Sequence, residues 1–102
     1  MRKRTARRAE ERTRGKLARD LERLYTLGPG GSAERPIPVV SPSEVEVQAR
    51  STRCPLCEGE LKIEEHLAAT FAGRRLRVAK GVCAVCRAPR VIYFELAAAR
   101  LN

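Results

Sequence analysis

Aromatic residues are scarce in this chain. It has no tryptophan, two phenylalanines and two tyrosines, so aromatics make up 4% of its 102 residues. A chain this short with so few large apolar groups cannot bury a sizeable core, and small domains of this kind usually depend on a disulfide or a metal. No run of about 18 apolar residues is present, which excludes a membrane-spanning helix. Met1 to Arg8 is basic but no apolar stretch follows it, so no secretory signal is expected. The expected location is the cytoplasm, a reducing compartment where paired cysteines bind metal more often than they form disulfides. Lysine is also scarce, with 4 against 17 arginines in a formal net charge of +9. Arginine gives planar, bidentate contacts to phosphate and carboxylate. Its spread along the whole chain is equally what a GC-rich coding sequence produces.

Four cysteines are present, and they organise the chain. They form two pairs, Cys54-Pro55-Leu56-Cys57 and Cys83-Ala84-Val85-Cys86. Two residues between the members of each pair let both thiolates turn toward one point. Two such pairs can enclose one ion in a tetrahedron of soft ligands, as a structural Zn²⁺ site requires. Four protein ligands leave no open position for water, so metal-based hydrolysis is not expected and the chain is not read as an enzyme. A single iron held by the same four thiolates remains an alternative. A thioredoxin-like redox pair is disfavoured, because it needs one exposed pair in a βαβ setting. No small-molecule substrate is evident.

The first knuckle, Cys54-Pro55-Leu56-Cys57-Glu58-Gly59, resembles those of zinc-ribbon proteins. The resemblance covers about residues 50 to 97 and implies a small metal-stabilised β fold of three or four antiparallel strands. Gly59 stands where a positive φ is expected to return the chain beneath the metal. The second knuckle departs from the pattern, with Ala88 where glycine is common. Arg53 and Arg87 adjoin the ligands and are placed to relieve the charge of a four-thiolate site. Pro36 to Leu96 is also similar to small, uncharacterised bacterial zinc-ribbon proteins. The likeness lies in Cys54 to Leu61, Glu65-His66, Cys83 to Cys86, Pro89-Arg90 and Tyr93-Phe94. It implies a fold and no particular activity.

Three segments follow from patterning: a basic N-terminal helix (1–27), a linker or extended arm (28–43) and the zinc-ribbon domain (44–102). Residues 2 to 23 hold ten basic residues against four acidic ones. Leu17, Leu21, Leu24 and Tyr25 recur with helical period, and Gly28-Pro29 stops the helix. The helix is expected from about Thr5 to Leu27, frayed before Gly15. Glu10-Glu11 argues against a mitochondrial presequence. Residues 28–43 contain three glycines and four prolines, and Ile37, Val39 and Val40 are expected to lie along a sheet edge, where proline is tolerated. Glu44 to Arg50 alternates polar and apolar and reads as a half-buried strand.

Leu61/Ile63 and Leu76/Val78 mark two further strands, with Ala72-Gly73-Arg74 as the hairpin tip. Arg90 to Leu96 is the most β-prone run and is expected to be a central strand covered on both faces. His66, the only histidine, falls by strand parity with Lys62 and Glu64 on the polar face, although Glu64 and Glu65 beside it make an acid–base role conceivable.

Two binding surfaces for nucleic acid or another polyanion emerge. One is the N-terminal helix, with Arg4, Arg7 and Arg8. The other is a strand face and hairpin tip with Arg74, Arg75 and Arg77, flanked by Arg87 and Arg90. The competing reading is a protein-interaction or self-association module that uses the helix leucines and the Val91–Leu96 strand.

Overall fold

The computed structural model describes residues 2–97. The element order is α1 (Arg2–Leu27), β1 (Ile37–Val39), α2 (Pro42–Ser51), β2 (Leu61–Phe71), β3 (Arg74–Cys83) and β4 (Pro89–Leu96). The four strands form one sheet in the order β1-β4-β3-β2. β2, β3 and β4 are antiparallel neighbours, whereas β1 runs parallel to β4, pairing Ile37 with Phe94 and Val39 with Leu96. A long N-terminal helix before a mostly antiparallel sheet is the expected fold class. The parallel edge strand differs from the all-antiparallel expectation.

Chain chemistry explains most of the elements. β2 and β3 meet in a two-residue turn at Ala72 (φ 50°) and Gly73 (φ 75°), the left-handed pair that a tight hairpin demands. Arg74 therefore begins β3 and is not the tip. Pro38 sits in an edge strand, where its missing N–H costs no ladder bond. β4 lies inside the sheet, but it is not covered on both faces as expected. Arg90, Ile92 and Phe94 are buried while Val91, Tyr93 and Glu95 are only half-buried.

Residues 44–50 are not a strand. They form most of α2. The Glu44 carboxylate accepts the backbone N–H groups of Ser41 (3.3 Å) and Val40 (2.6 Å), satisfying donors that a helix start would otherwise leave orphaned. Pro42 fits the first turn, where its lack of an N–H is harmless. Val45 and Ala49, four residues apart, are both fully buried, whereas Val47 is exposed. α2 thus lays one stripe on the sheet and completes a core with Val39, Cys54, Leu61, Ala79, Cys83, Ile92 and Phe94.

β2 carries a bulge between Ile63 and Glu65. The extra residue reverses the in–out alternation after it. His66 therefore pairs with buried Ala79 on the side of Leu61 and Ile63, not with Lys62 and Glu64. Its Nε2 is shielded from solvent and has no hydrogen-bond partner.

α1 has the form of a projecting arm. Its 26 residues span about 39 Å at 1.5 Å per residue. The molecule measures 71 × 25 × 18 Å, with a radius of gyration of 17.1 Å, where about 13 Å is usual for a compact chain of 100 residues. Only the last turns touch the sheet. Tyr25 donates its hydroxyl to the Val91 carbonyl (2.8 Å), and the Glu22 carboxylate takes a bidentate contact from Arg90. Arg90 is 5% exposed and lies 4.6 Å from the centre of the Tyr25 ring. Burial works against its charge, but Glu22 outweighs that and leaves its pKa above the usual guanidinium value. Of the apolar helix stripe, Leu21 and Tyr25 are half-buried while Leu17 and Leu24 remain exposed.

Candidate metal centre

The two knuckles are the same turn made twice. In the first, the Cys54 carbonyl accepts the Glu58 N–H (2.8 Å) and the Cys54 N–H donates to the Gly59 carbonyl (3.0 Å). In the second, the Cys83 carbonyl accepts the Arg87 N–H (3.0 Å) and the Cys83 N–H donates to the Ala88 carbonyl (2.9 Å). The left-handed residue is Glu58 (φ 61°) in one and Arg87 (φ 63°) in the other. Positive φ thus falls one residue before Gly59, correcting the role expected for that glycine. It also explains why Ala88 is tolerated at the matching position. An Arg53–Glu60 bridge closes the first knuckle, the Val82–Pro89 pair closes the second, and the Ala84 N–H donates to the Glu60 carbonyl (2.9 Å) to join them.

This framework brings the four sulfurs within 4.8 Å of one another. Cys57 and Cys83 Sγ are 3.3 Å apart, and Cys54 and Cys86 Sγ are 3.7 Å apart. A tetrahedral ion with bonds of about 2.3 Å separates its sulfurs by about 3.8 Å, so the group can hold one metal ion. No sulfur pair approaches the ~2.05 Å of a disulfide, and all four thiols are free. Cys54 and Cys83 are buried while Cys57 and Cys86 reach the surface. The cluster is therefore sealed on the core side and open toward solvent.

The Cys83 sulfur accepts the N–H groups of Val85 and Cys86, both at 3.4 Å. Chiefly through the Cys86 N–H, and against its burial, these bonds bring its pKa down to about 6. The Cys57 thiol, hydrogen-bonded to the Cys83 sulfur, is pushed up to about 12.

Gly59 is needed for close approach. A Cβ there would lie 2.8 Å from Val85 Cγ2 and 2.9 Å from Cys83 Sγ. Exposed Val85 can swing aside, but the sulfur cannot move without leaving the cluster. Gly59→Ala is expected to displace the Cys83 sulfur and weaken metal affinity by about tenfold or more, equivalent to ~1.4 kcal/mol. Ala88→Gly should change affinity little and cost only the ~0.5–1 kcal/mol of added chain freedom. Competition titration with a chromophoric chelator reads both; equal affinities for the two variants would refute the steric account.

The other predicted site residues are dispersed. Arg4, Arg7 and Arg8 are exposed on α1, with Arg7 and Arg8 flanking Arg4 on its two sides along the helix surface. Arg74 makes a bidentate ion pair with Glu95, with Nε 3.0 Å from Oε2, and holds that carboxyl below its usual pKa. Arg75 and Arg77 line a shallow depression of about 320 Å³ with Thr70 and Leu96. Arg90 is buried against α1 and leaves the surface patch altogether. Arg53 lies 3.7 Å from Glu60, so part of its charge is already answered. Unanticipated is a groove on α1 lined by Arg8, Glu11, Arg12, Gly15, Lys16 and Arg19. Its signal was the four-residue recurrence of the basic residues.

The chain is a four-cysteine metal-binding module built on a four-stranded sheet with a long N-terminal helix. No protein-family model, curated protein or solved structure matches it, so the geometry of the site carries the functional argument. Among the described residues no helix is long and apolar enough to cross a membrane.

Proposed function

We propose that the four cysteines hold one structural Zn²⁺ ion, and that the zinc-stabilised sheet is a non-enzymatic module for binding a macromolecule, with nucleic acid the partner. The observation that carries this reading is a set of four sulfurs within 4.8 Å of one another in an elongated molecule whose N-terminal helix exposes a run of basic side chains. Four thiolates saturate zinc, so the ion serves folding and not catalysis. Zinc is preferred to iron because both knuckles lack the glycine and aromatic setting that four-thiolate iron sites resemble.

Self-association through the helix leucines Leu17, Leu21 and Leu24 is the second reading, favoured by the 56% and 64% exposure of Leu17 and Leu24. β4 is hydrogen-bonded on both edges inside the sheet, so the Val91–Leu96 strand would contribute to such a contact through the half-buried Val91 and Tyr93 on its outer face.

Native mass spectrometry of the purified protein tests both readings. A colourless monomer carrying one zinc supports the first. A coloured, iron-containing species or a metal-free folded chain would refute it, and a dimer that survives high salt would favour the leucine face.

A further inference from the structure

The basic residues of α1 are ordered, and their order points to a particular partner. Arg4, Arg8, Arg12, Lys16, Arg19 and Arg23 follow one another at steps of four or three. At 100° per residue they fall within about 120° of the helix circumference. Arg8, Arg12, Lys16 and Arg19 line one groove of about 580 Å³, together with Gly15 and the single carboxylate of Glu11. Glu10 and Asp20 lie outside this arc, Glu11 and Glu22 lie at its edge, and Glu22 is engaged by Arg90. None of the six forms an ion pair among the described residues; the one ion pair within α1, Glu10–Arg14, lies off the stripe.

We infer that this stripe is a docking surface for double-stranded DNA. The inference rests on the nucleic-acid reading above and names its partner and its surface. Arg4 to Arg23 spans about 28 Å at 1.5 Å per residue. At 3.4 Å per nucleotide that is roughly eight base pairs. A rigid helix about 10–12 Å across matches the ~12 Å major groove of B-form DNA. The deep, narrow major groove of duplex RNA does not admit one. Single strands are held largely by aromatic stacking, and the one aromatic of α1, Tyr25, is packed beneath Arg90. A membrane surface requires an apolar face along the helix, yet residues 4–14 offer only Ala6 and Ala9. The stripe contains only arginine and lysine, with no asparagine or glutamine to read adenine, so its contacts are to phosphate and, within the groove, to the O6 and N7 acceptors of guanine.

Fluorescence anisotropy with the full-length, zinc-loaded protein tests this. The probes are a labelled DNA duplex of about 20 base pairs, one of its single strands, and the matching RNA duplex, each across roughly 50 to 200 mM salt. Two variants are compared with wild type: Arg8→Ala/Arg12→Ala/Lys16→Ala on the stripe, and Arg75→Ala/Arg77→Ala on the sheet. Alanine keeps the helix, and far-UV circular dichroism confirms it. Duplex DNA is expected to bind tightest. The stripe variant should lose about tenfold or more in affinity and about 3 in log–log salt slope, from ~0.9 per phosphate contact. The sheet variant should match wild type. If the sheet variant loses binding and the stripe variant does not, nucleic-acid binding stands but the stripe is refuted. Equal affinity for single strands or duplex RNA overturns the choice of partner. No binding of any probe at the lowest salt defeats both the inference and the reading beneath it.

Discussion

Replacing Cys83 by serine is expected to abolish the folded sheet, even with zinc in excess. Cys83 closes β3 and is fully buried within the core cluster. It is also the sulfur that two backbone N–H groups prepare as a thiolate. Serine keeps the volume but offers zinc a hydroxyl that does not ionise near neutral pH. Structural zinc contributes an apparent ~10–16 kcal/mol in small domains, while whole domains are stable by only ~5–15 kcal/mol. The metal-free chain should therefore be unfolded through β2, β3 and β4. Chelating the metal from wild type should do the same, and added zinc should restore wild type but not the variant. Amide chemical-shift dispersion of the strand residues is the proper readout, because α1 can keep some helical signal by itself. Cys57→Ser, at an exposed ligand, should be milder. A sheet that stays dispersed after complete metal removal would disprove the dependence.

The convergence of the four cysteines is legible because its information is local: two residues between cysteines fix which thiols can turn to one point. The hairpin tip was legible for the same reason, since Ala72-Gly73 supplies its own backbone preference. The misreadings share a different cause. Over seven residues, Val45, Val47 and Ala49 satisfy both a period of two and a spacing of four, so periodicity alone could not separate strand from helix. What decided it was a capping interaction from Glu44 and the sheet surface waiting for Val45 and Ala49. His66 was placed on the wrong face because one bulged residue reverses every side chain beyond it, and no sequence signal in β2 announced the bulge. Gly59 was correctly singled out for the wrong reason. The obstacle to a side chain there is Cys83 Sγ, which is 24 positions away in sequence.

Charge misled in an instructive way. Arg74, Arg75, Arg77 and Arg90 look alike in sequence, yet Glu95 takes the first and Glu22 the last. Both carboxylates come from distant segments, so only tertiary structure reveals which arginines are free. On α1, by contrast, no tertiary partner intervenes, and the spacing of the basic residues survives into the structure as a stripe.

Removing Glu22 should damage the fold more than removing Arg90, although the two form one ion pair. The asymmetry follows from burial. The Arg90 side chain is 4% exposed and that of Glu22 is 41% exposed. Glu22→Ala strands a buried guanidinium whose Nε already lacks a partner. An uncompensated buried charge costs about 3–5 kcal/mol, here toward the lower value because the vacated carboxylate position admits water. Arg90→Met removes that charge, keeps much of the apolar stem against Tyr25, and leaves Glu22 free to hydrate. Such apolar replacements of buried ion pairs are often close to neutral, and the lost cation–π contact adds about 0.5–2 kcal/mol. The double variant Glu22→Ala/Arg90→Met should then resemble Arg90→Met alone, because the second change has relieved the cost of the first. Chemical denaturation at fixed free zinc, followed in strand residues, reads all three variants. The anchoring of α1 is a separate observable: Arg90→Met should retain the Tyr25 bond to Val91, visible as protection of the last helical turn. If Arg90→Met proved the more destabilising change, the pair would be acting through geometry at the α1–β4 junction and not through its buried charge.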